Sequence, residues 1–207
     1  MNKLILSAAL TLSSFALAST WEIDTAHAAG NFSVKHLVIS NVNGTLGDVT
    51  GKVEVDDKDV TKSKVEASID LKGINTKQPK RDDHLRSPDF FDVEKFPTLT
   101  FKSTKIEKGD GMKLKVSGDL TMHGVTKSVV LDGELTAEVV NPFSGAKARG
   151  FSGTTSLNRK DFGLNWNKTL EAGGVLVGEE VKVSIEAELV KKEAAPAAKA
   201  APTPAKK

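Results

Sequence analysis

Four histidines and one dense run of charge are the groups in this 207-residue chain whose types could do chemistry. His27, His36, His84 and His123 could each ligate a metal or move a proton, because imidazole titrates near neutral pH. A metal site needs several ligands at characteristic spacings, and these four lie on separate segments of a chain without cysteine. Nucleophilic catalysis has no better support. Gly150-Phe151-Ser152-Gly153 comes nearest to a nucleophile elbow and fails its spacing. The sequence has no His-Glu-x-x-His, no phosphate-binding loop and no dinucleotide-binding glycine pattern. No catalytic residue, metal or cofactor is therefore assigned.

The charged run Arg81, Asp82, Asp83, His84, Arg86 and Asp89 lies within Ile74–Phe101, a stretch without strand periodicity. Asn75 or Thr76 can cap a helix there, Pro79 suits its first turn, and Ser87-Pro88-Asp89 offers a second start. Leu85, Phe90, Phe91, Phe96 and Phe101 follow as apolar anchors, so the segment reads as a lid or plug on a β scaffold. On a helix Arg81 faces His84, and Asp83 faces Arg86, so mutual pairing accounts for the cluster. The alternative turns Arg81, His84 or Arg86 toward a polar head group, and the planar fork of Arg suits a phosphate. Both readings stand at this level.

The elements that must position these groups are strands. Trp21, Ile23 and Thr25, then Phe32, Val34 and His36, alternate with polar residues, with Ala28-Ala29-Gly30 read as the turn between them. Leu37–Ser40 reads as a brief helical turn, and the apolar parity switches near Gly47-Asp48, implying a bulge or turn. Val65 to Leu71, Met112 to Leu120 and Val181 to Leu189 alternate clearly, and Lys108-Gly109-Asp110-Gly111 reads as a tight hairpin turn. Val129, Leu131, Gly133, Leu135, Ala137 and Val139 share a face of one long strand, and Phe151, Gly153, Thr155 and Leu157 return inward. Asn158–Trp166 reads as a structural turn, with Arg159 paired to Asp161, Gly163 at positive φ and Trp166 buried at one end. Charges at mid-strand, such as Lys113, Lys115, Glu186 and Glu188, exclude a membrane barrel with a lipid-facing exterior. A water-exposed barrel and a sandwich both satisfy the pattern.

Small inward residues, Ala67, Gly118, Gly133, Ala137, Gly153, Thr155 and Ala187, favour interior space. The same glycines could instead mark bulges and curvature. An eight-stranded barrel can be filled by side chains or hold one small ligand.

Charge and termini narrow the class further. Met1–Ala18 has one early Lys, an apolar run and an Ala-Leu-Ala close, which is a secretory signal with cleavage after Ala18. Residues 191–207 read as a disordered Ala/Pro/Lys-rich tail, leaving 19–190 as one domain. The body carries 23 Lys and Arg against 26 Asp and Glu, so the net +2 of the chain belongs to the tail and no nucleic-acid partner is expected. After processing no segment remains to span a membrane as a helix.

Three long, collinear stretches carry a family resemblance: RDDHLRSPDFFDVEKFPTLTF, GDLTMHGVTKSVVL at Gly118–Leu131, and NRKDFGLNWN at Asn158–Asn167. With WEIDTAHAAGNFSVKH and VGEEVKVSIEAEL, the chain between signal and tail closely resembles the YceI-like family of periplasmic, lipocalin-like, polyisoprenoid-binding proteins. The resemblance implies an all-β antiparallel barrel with a short helical insert, secreted to the periplasm, holding an isoprenoid lipid such as a polyprenyl phosphate or quinone for transport or storage. Ligand contacts are then expected from Phe32, Val34, His36, Phe91, Phe101, Leu114, Val116, Val129 and Leu131. Phe151, Gly153, Thr155 and Trp166 complete the lining, with Arg81, His84 and Arg86 at the mouth. The competing readings are an enzyme using His36 or His84 on a lipid-like substrate, and an envelope interaction module using the tail. A homodimer is left open, because no edge strand is identifiable.

Overall fold

The period-two apolar pattern produces ten antiparallel strands in the computed structural model, which describes residues 18–171 and 173–192. The signal expected at 1–18, apart from its last residue, and the tail from Glu193 onward lie outside the described residues. The strands are β1 (Ala18–His36), β2 (Ser40–Thr45), β3 (Val49–Asp56), β4 (Lys64–Asp70) and β5 (Thr98–Lys108). After them come β6 (Lys113–Met122), β7 (Val125–Leu135), β8 (Val139–Val140), β9 (Lys147–Asn158) and β10 (Val177–Lys191). The single α-helix, α1, spans Pro79–Arg86 between β4 and β5.

Eight of these strands form a ring in the order β10-β1-β3-β4-β5-β6-β7-β9, which β9 closes by pairing with β10. Closure leaves the ring without an open edge. The structure is thus a barrel and not a sandwich. The short β2 lies beside the second half of β1, and β8 beside the start of β9. The last pairs carry the fold to the end of the described chain, with Lys191 opposite Trp21 and Lys192 N donating to Thr20 O.

Three expectations about the strands need correction. Ala28-Ala29-Gly30 is no turn: β1 runs unbroken, and a bulge at Thr25–His27 separates the pairs Asp24–Glu188 and Ala28–Ala187. The Asp24 carboxylate accepts from Ala26 N and bonds His27 Nδ1 at 2.9 Å, holding the extra residues outside the ladder. The inserted residues reverse the facing, so Trp21 and Ile23 before the bulge and Phe32 and Val34 after it all point inward. Secondly, Leu37–Ile39 is a turn of the β1–β2 hairpin with φ of 54° at Leu37 and 66° at Val38, not a helical turn. Thirdly, β7 stops at Leu135 because Thr136 pairs with Gly150 through N to O and through N to Oγ1, so Val139 is exposed and leaves the inward face.

The insert between β4 and β5 packs across part of one end of the ring. Pro79 opens α1 as expected, but the cap is Gln78, whose side chain accepts from Lys80 N, and not Asn75 or Thr76. Asn75 instead exchanges backbone hydrogen bonds with Thr45, and buried Thr76 bonds the buried Asp82 carboxylate through both its N and its Oγ1. Leu71, Ile74, Phe90, Phe91 and Val93 then pack with Leu99, Met122, Phe162 and Leu164. The opposite end is built on Trp21, fully buried, with Val53, Val55 and Leu189 around it. Its indole N–H donates to Ser19 Oγ at 2.8 Å, and Arg149 and Lys191 lie 5.2 and 5.3 Å from its ring centre. Trp166, expected to be the buried tryptophan, is only half-buried.

The parity switch before β3 depends on Gly47. Its φ is +136°, and a Cβ there would collide with the carbonyl oxygen of Asp70. Gly47→Ala is expected to cost about 2–4 kcal/mol of stability or to prevent folding. A urea melt with an unshifted midpoint would contradict this close approach.

Candidate functional site

Inward alternation around a closed ring points one apolar row from every strand at a common axis. Here those rows enclose a cavity of about 380 Å³, within the range of small-molecule sites. Of the residues expected from sequence, Phe32, Val34, His36, Phe91, Phe101, Leu114 and Val116 line it. So do Val129, Leu131, Phe151, Thr155, Trp166, Arg81 and His84. Two do not. Arg86 is turned away, donating to Ile74 O at 3.1 Å and to Asp83 Oδ1 at 2.7 Å, as the pairing reading required. Gly153 contributes no open space, because the ring of Phe151 already covers it.

That second result shows how the wall is built. A Cβ on Gly153 would meet Phe151 Cε1 at 3.0 Å, and one on Gly133, its direct cross-strand partner, would meet Phe151 Cε2 at 2.9 Å. The Phe101 ring occupies the position a Gly118 side chain would need, and Phe32 Cε1 lies 2.7 Å from the corresponding point on Gly44. Three large rings therefore rest against the wall over glycines. The expectation that inward glycines are empty space is corrected: they are platforms, and the space is what the rings leave along the axis. Val129, Leu131, Val181, Val183 and Ile185 line that space and are only half-buried, as side chains facing a hollow must be.

Polar groups gather at the end that carries the insert. Arg81 donates from Nε to Thr76 Oγ1 at 2.7 Å and from Nη2 to Thr76 O at 2.9 Å. It does not pair with His84, whose Nε2 instead lies 2.9 Å from Asp89 Oδ2. The His84 ring meets Phe90 and Trp166 edge-on, with centres 5.0 and 4.8 Å away. Arg81, His84, His36, Trp166, Leu176 and Val177 are half-exposed at this end; at the other, Trp21, Val55 and Leu189 are buried and Val60, Val65, Leu135 and Phe151 half-buried. The charged rim of the cavity thus lies between α1, Trp166 and the junction of β1 with β10.

Arg159 is the residue that sequence reasoning misjudged most. It is buried and does not reach Asp161; its guanidinium donates to Gly178 O at 2.8 Å, to Leu164 O and to Val177 O. Burial lowers its pKa, opposed by the Glu179 carboxylate. Gly163 does take positive φ, 79°, at the end of this turn. The lining residues omitted from the sequence expectation include Val49, Val53 and Val55 of β3, Val65, Ala67 and Ile69 of β4, and Val181, Val183, Ile185, Ala187 and Leu189 of β10, whose alternation was itself the available signal. His123 is a turn residue with Nδ1 3.2 Å from Phe162 O, and His27 sits in the β1 bulge. Among the described residues no cluster of three or more His, Asp or Glu is placed to hold a metal.

A YceI-like domain model matches residues 21–189 of the chain. The UPF0312 protein SA2479 of Staphylococcus aureus (strain N315) is 36% identical over 170 residues, covering 82% of this chain and 96% of that one. The solved YceI protein of Campylobacter jejuni superposes with a TM-score of 0.65 at 30% identity, over 91% of this chain and 100% of its own. A polyisoprenoid binding domain from Saccharophagus degradans shares the fold at a TM-score of 0.60 and 15% identity, covering 84% of this chain and 99% of that one.

The wall predicts a contrast between two glycines. Gly118→Ala would press on Lys102 O, 2.6 Å from its new Cβ, as well as on Phe101. Backbone cannot yield cheaply, so a loss of about 2–4 kcal/mol is expected. Gly153→Ala would press only on side chains, chiefly the Phe151 ring, which can swing toward the hollow. It should cost less than about 1 kcal/mol, since removing a strand glycine also lowers unfolded-state entropy. Thermal melts of both variants check this; equal losses would mean that the interior is packed and not hollow.

Proposed function

We propose that this chain, which belongs to the YceI-like family, is a periplasmic binding protein that holds one isoprenoid lipid with its chain along the barrel axis. The observation that carries this reading is the lining: an apolar tube whose charged groups gather at one end. Burying an apolar chain there releases about 25 cal/mol per Å² withdrawn from water. The methyl-branched outline of an isoprenoid suits walls of Val, Ile, Leu and Phe, and its polar end would remain beside His36, Arg81 and His84. A quinone ring or a phosphate satisfies that placement, and transport or storage follows from reversible occupancy. The polyisoprenoid-binding domain of the same fold supports the choice of ligand class. The N-terminal signal pattern supports export, and no helix of the described residues is long and apolar enough to cross a membrane.

Catalysis on the lipid through His36 or His84 has less support. The only side-chain hydrogen bond at either ring among the described residues is the one to Asp89. Binding without turnover is therefore the expected behaviour.

Thr155 tests the tube. It lies on β9 opposite Val183, and both line the cavity. Thr155→Leu should leave the melting temperature unchanged or raised, because it adds apolar bulk to unfilled space, and weaken polyprenol binding by about tenfold or more. Fluorescence titration with a polyprenol checks it. A variant destabilised by about 1–3 kcal/mol would indicate a packed interior; full affinity in a stable variant would place the ligand elsewhere.

A further inference from the structure

Water-exposed apolar side chains are ordinarily scattered, yet two hairpins of this barrel gather them, β8–β9 with Val139, Val140 and Phe143, and β1–β2 beside the cavity rim. Val38 is 63% exposed and Ile39 81% exposed, consecutive at the tip of the β1–β2 hairpin. The backbone there suits them badly. Both Leu37 and the β-branched Val38 have φ near +60°, in a turn where Asn-Gly would sit without strain. The tip is tied to the rim of the cavity: Leu37 N donates to Leu176 O, Leu176 N donates to Lys168 O, and Leu176 lines the cavity. Lys35 and Lys168 are exposed on either side, with Glu171 the acid in the same loop.

We propose that the Leu37–Ile39 tip is a membrane-docking element that inserts into the surface of an anionic lipid bilayer and sets the cavity rim against it. The occupant follows from three observations. The patch borders the charged rim of an apolar tube, through the bond of Leu37 to the lining residue Leu176, so a bilayer bound there would lie against the interior. Its side chains are aliphatic with flanking lysines, the combination that partitions into a lipid interface and meets acidic head groups. A strained turn keeping apolar residues in water is accounted for when water is not their working environment. A ligand chain could then pass between bilayer and tube without crossing water. This last consequence rests on the lipid-binding reading; the docking itself does not.

The barrel supplies its own control. The β8–β9 hairpin, beside the Trp21 end, exposes Val139, Val140 and Phe143, the last at 98%. The chain from Ser19 onward is floated with vesicles of phosphatidylethanolamine and a minority of phosphatidylglycerol at physiological ionic strength. The pair Val38→Ser and Ile39→Ser should lower the bound fraction by about tenfold or more, since both side chains leave the lipid. Phe143→Ser should not change it. Undiminished binding by the double variant, its loss in Phe143→Ser, or a wild type that does not float would overturn the proposal. So would light scattering that shows the tip joining two copies. Polyprenol uptake without vesicles is measured in parallel and should survive the double substitution, so that the tube and the docking surface can fail separately.

Discussion

Three phenylalanine rings lying over glycines decide what this barrel is. An eight-stranded ring is at the size where side chains can just fill it. Phe32, Phe101 and Phe151 would do so if they pointed along the axis. Instead each lies where a glycine's missing side chain leaves room: Gly44, Gly118, and the facing pair Gly133 and Gly153. The rings thicken the wall and keep the centre free. The interior is hollow because its largest side chains have somewhere else to go, and everything proposed about a ligand depends on that.

A hollow core gives up some packing, and the ends compensate. At one end Trp21 buries its whole ring and satisfies its indole N–H on Ser19. At the other the insert supplies a second cluster built on Leu71, Ile74, Phe90 and Phe91. Arg159 ties the turn after β9 to the start of β10 and to Leu164 through three carbonyls that would otherwise lack these donors. With closure removing sheet edges, stability resides in the wall and the ends, and the axis is left for function.

The architecture was legible because half-buried strands write their facing into the sequence at period two. β4, β6 and β10 follow their alternation, and the Lys108–Gly111 turn falls between β5 and β6. What was not legible depends on contacts between distant residues or on local competition for backbone groups. The β1 bulge is held by Asp24 and His27, a hydrogen-bonding choice that apolar pattern does not encode. Arg159 looked paired with its sequence neighbour Asp161, whereas its partners lie as far as 19 residues away. The glycines pointed to a cavity, but for the wrong reason, since only the fold reveals which ring covers which glycine. At the rim, Arg81 and His84 line the cavity, and Arg86 is drawn away by Ile74 and Asp83.

Whether the tube carries an isoprenoid is tested most directly on protein purified from cells without added lipid. Native mass spectrometry, followed by organic extraction and identification of what is released, reads both occupancy and chemistry. One isoprenoid lipid per chain, starting from Ser19, is the expected result. Chains that fly empty, or that release only straight-chain fatty acids, would contradict it.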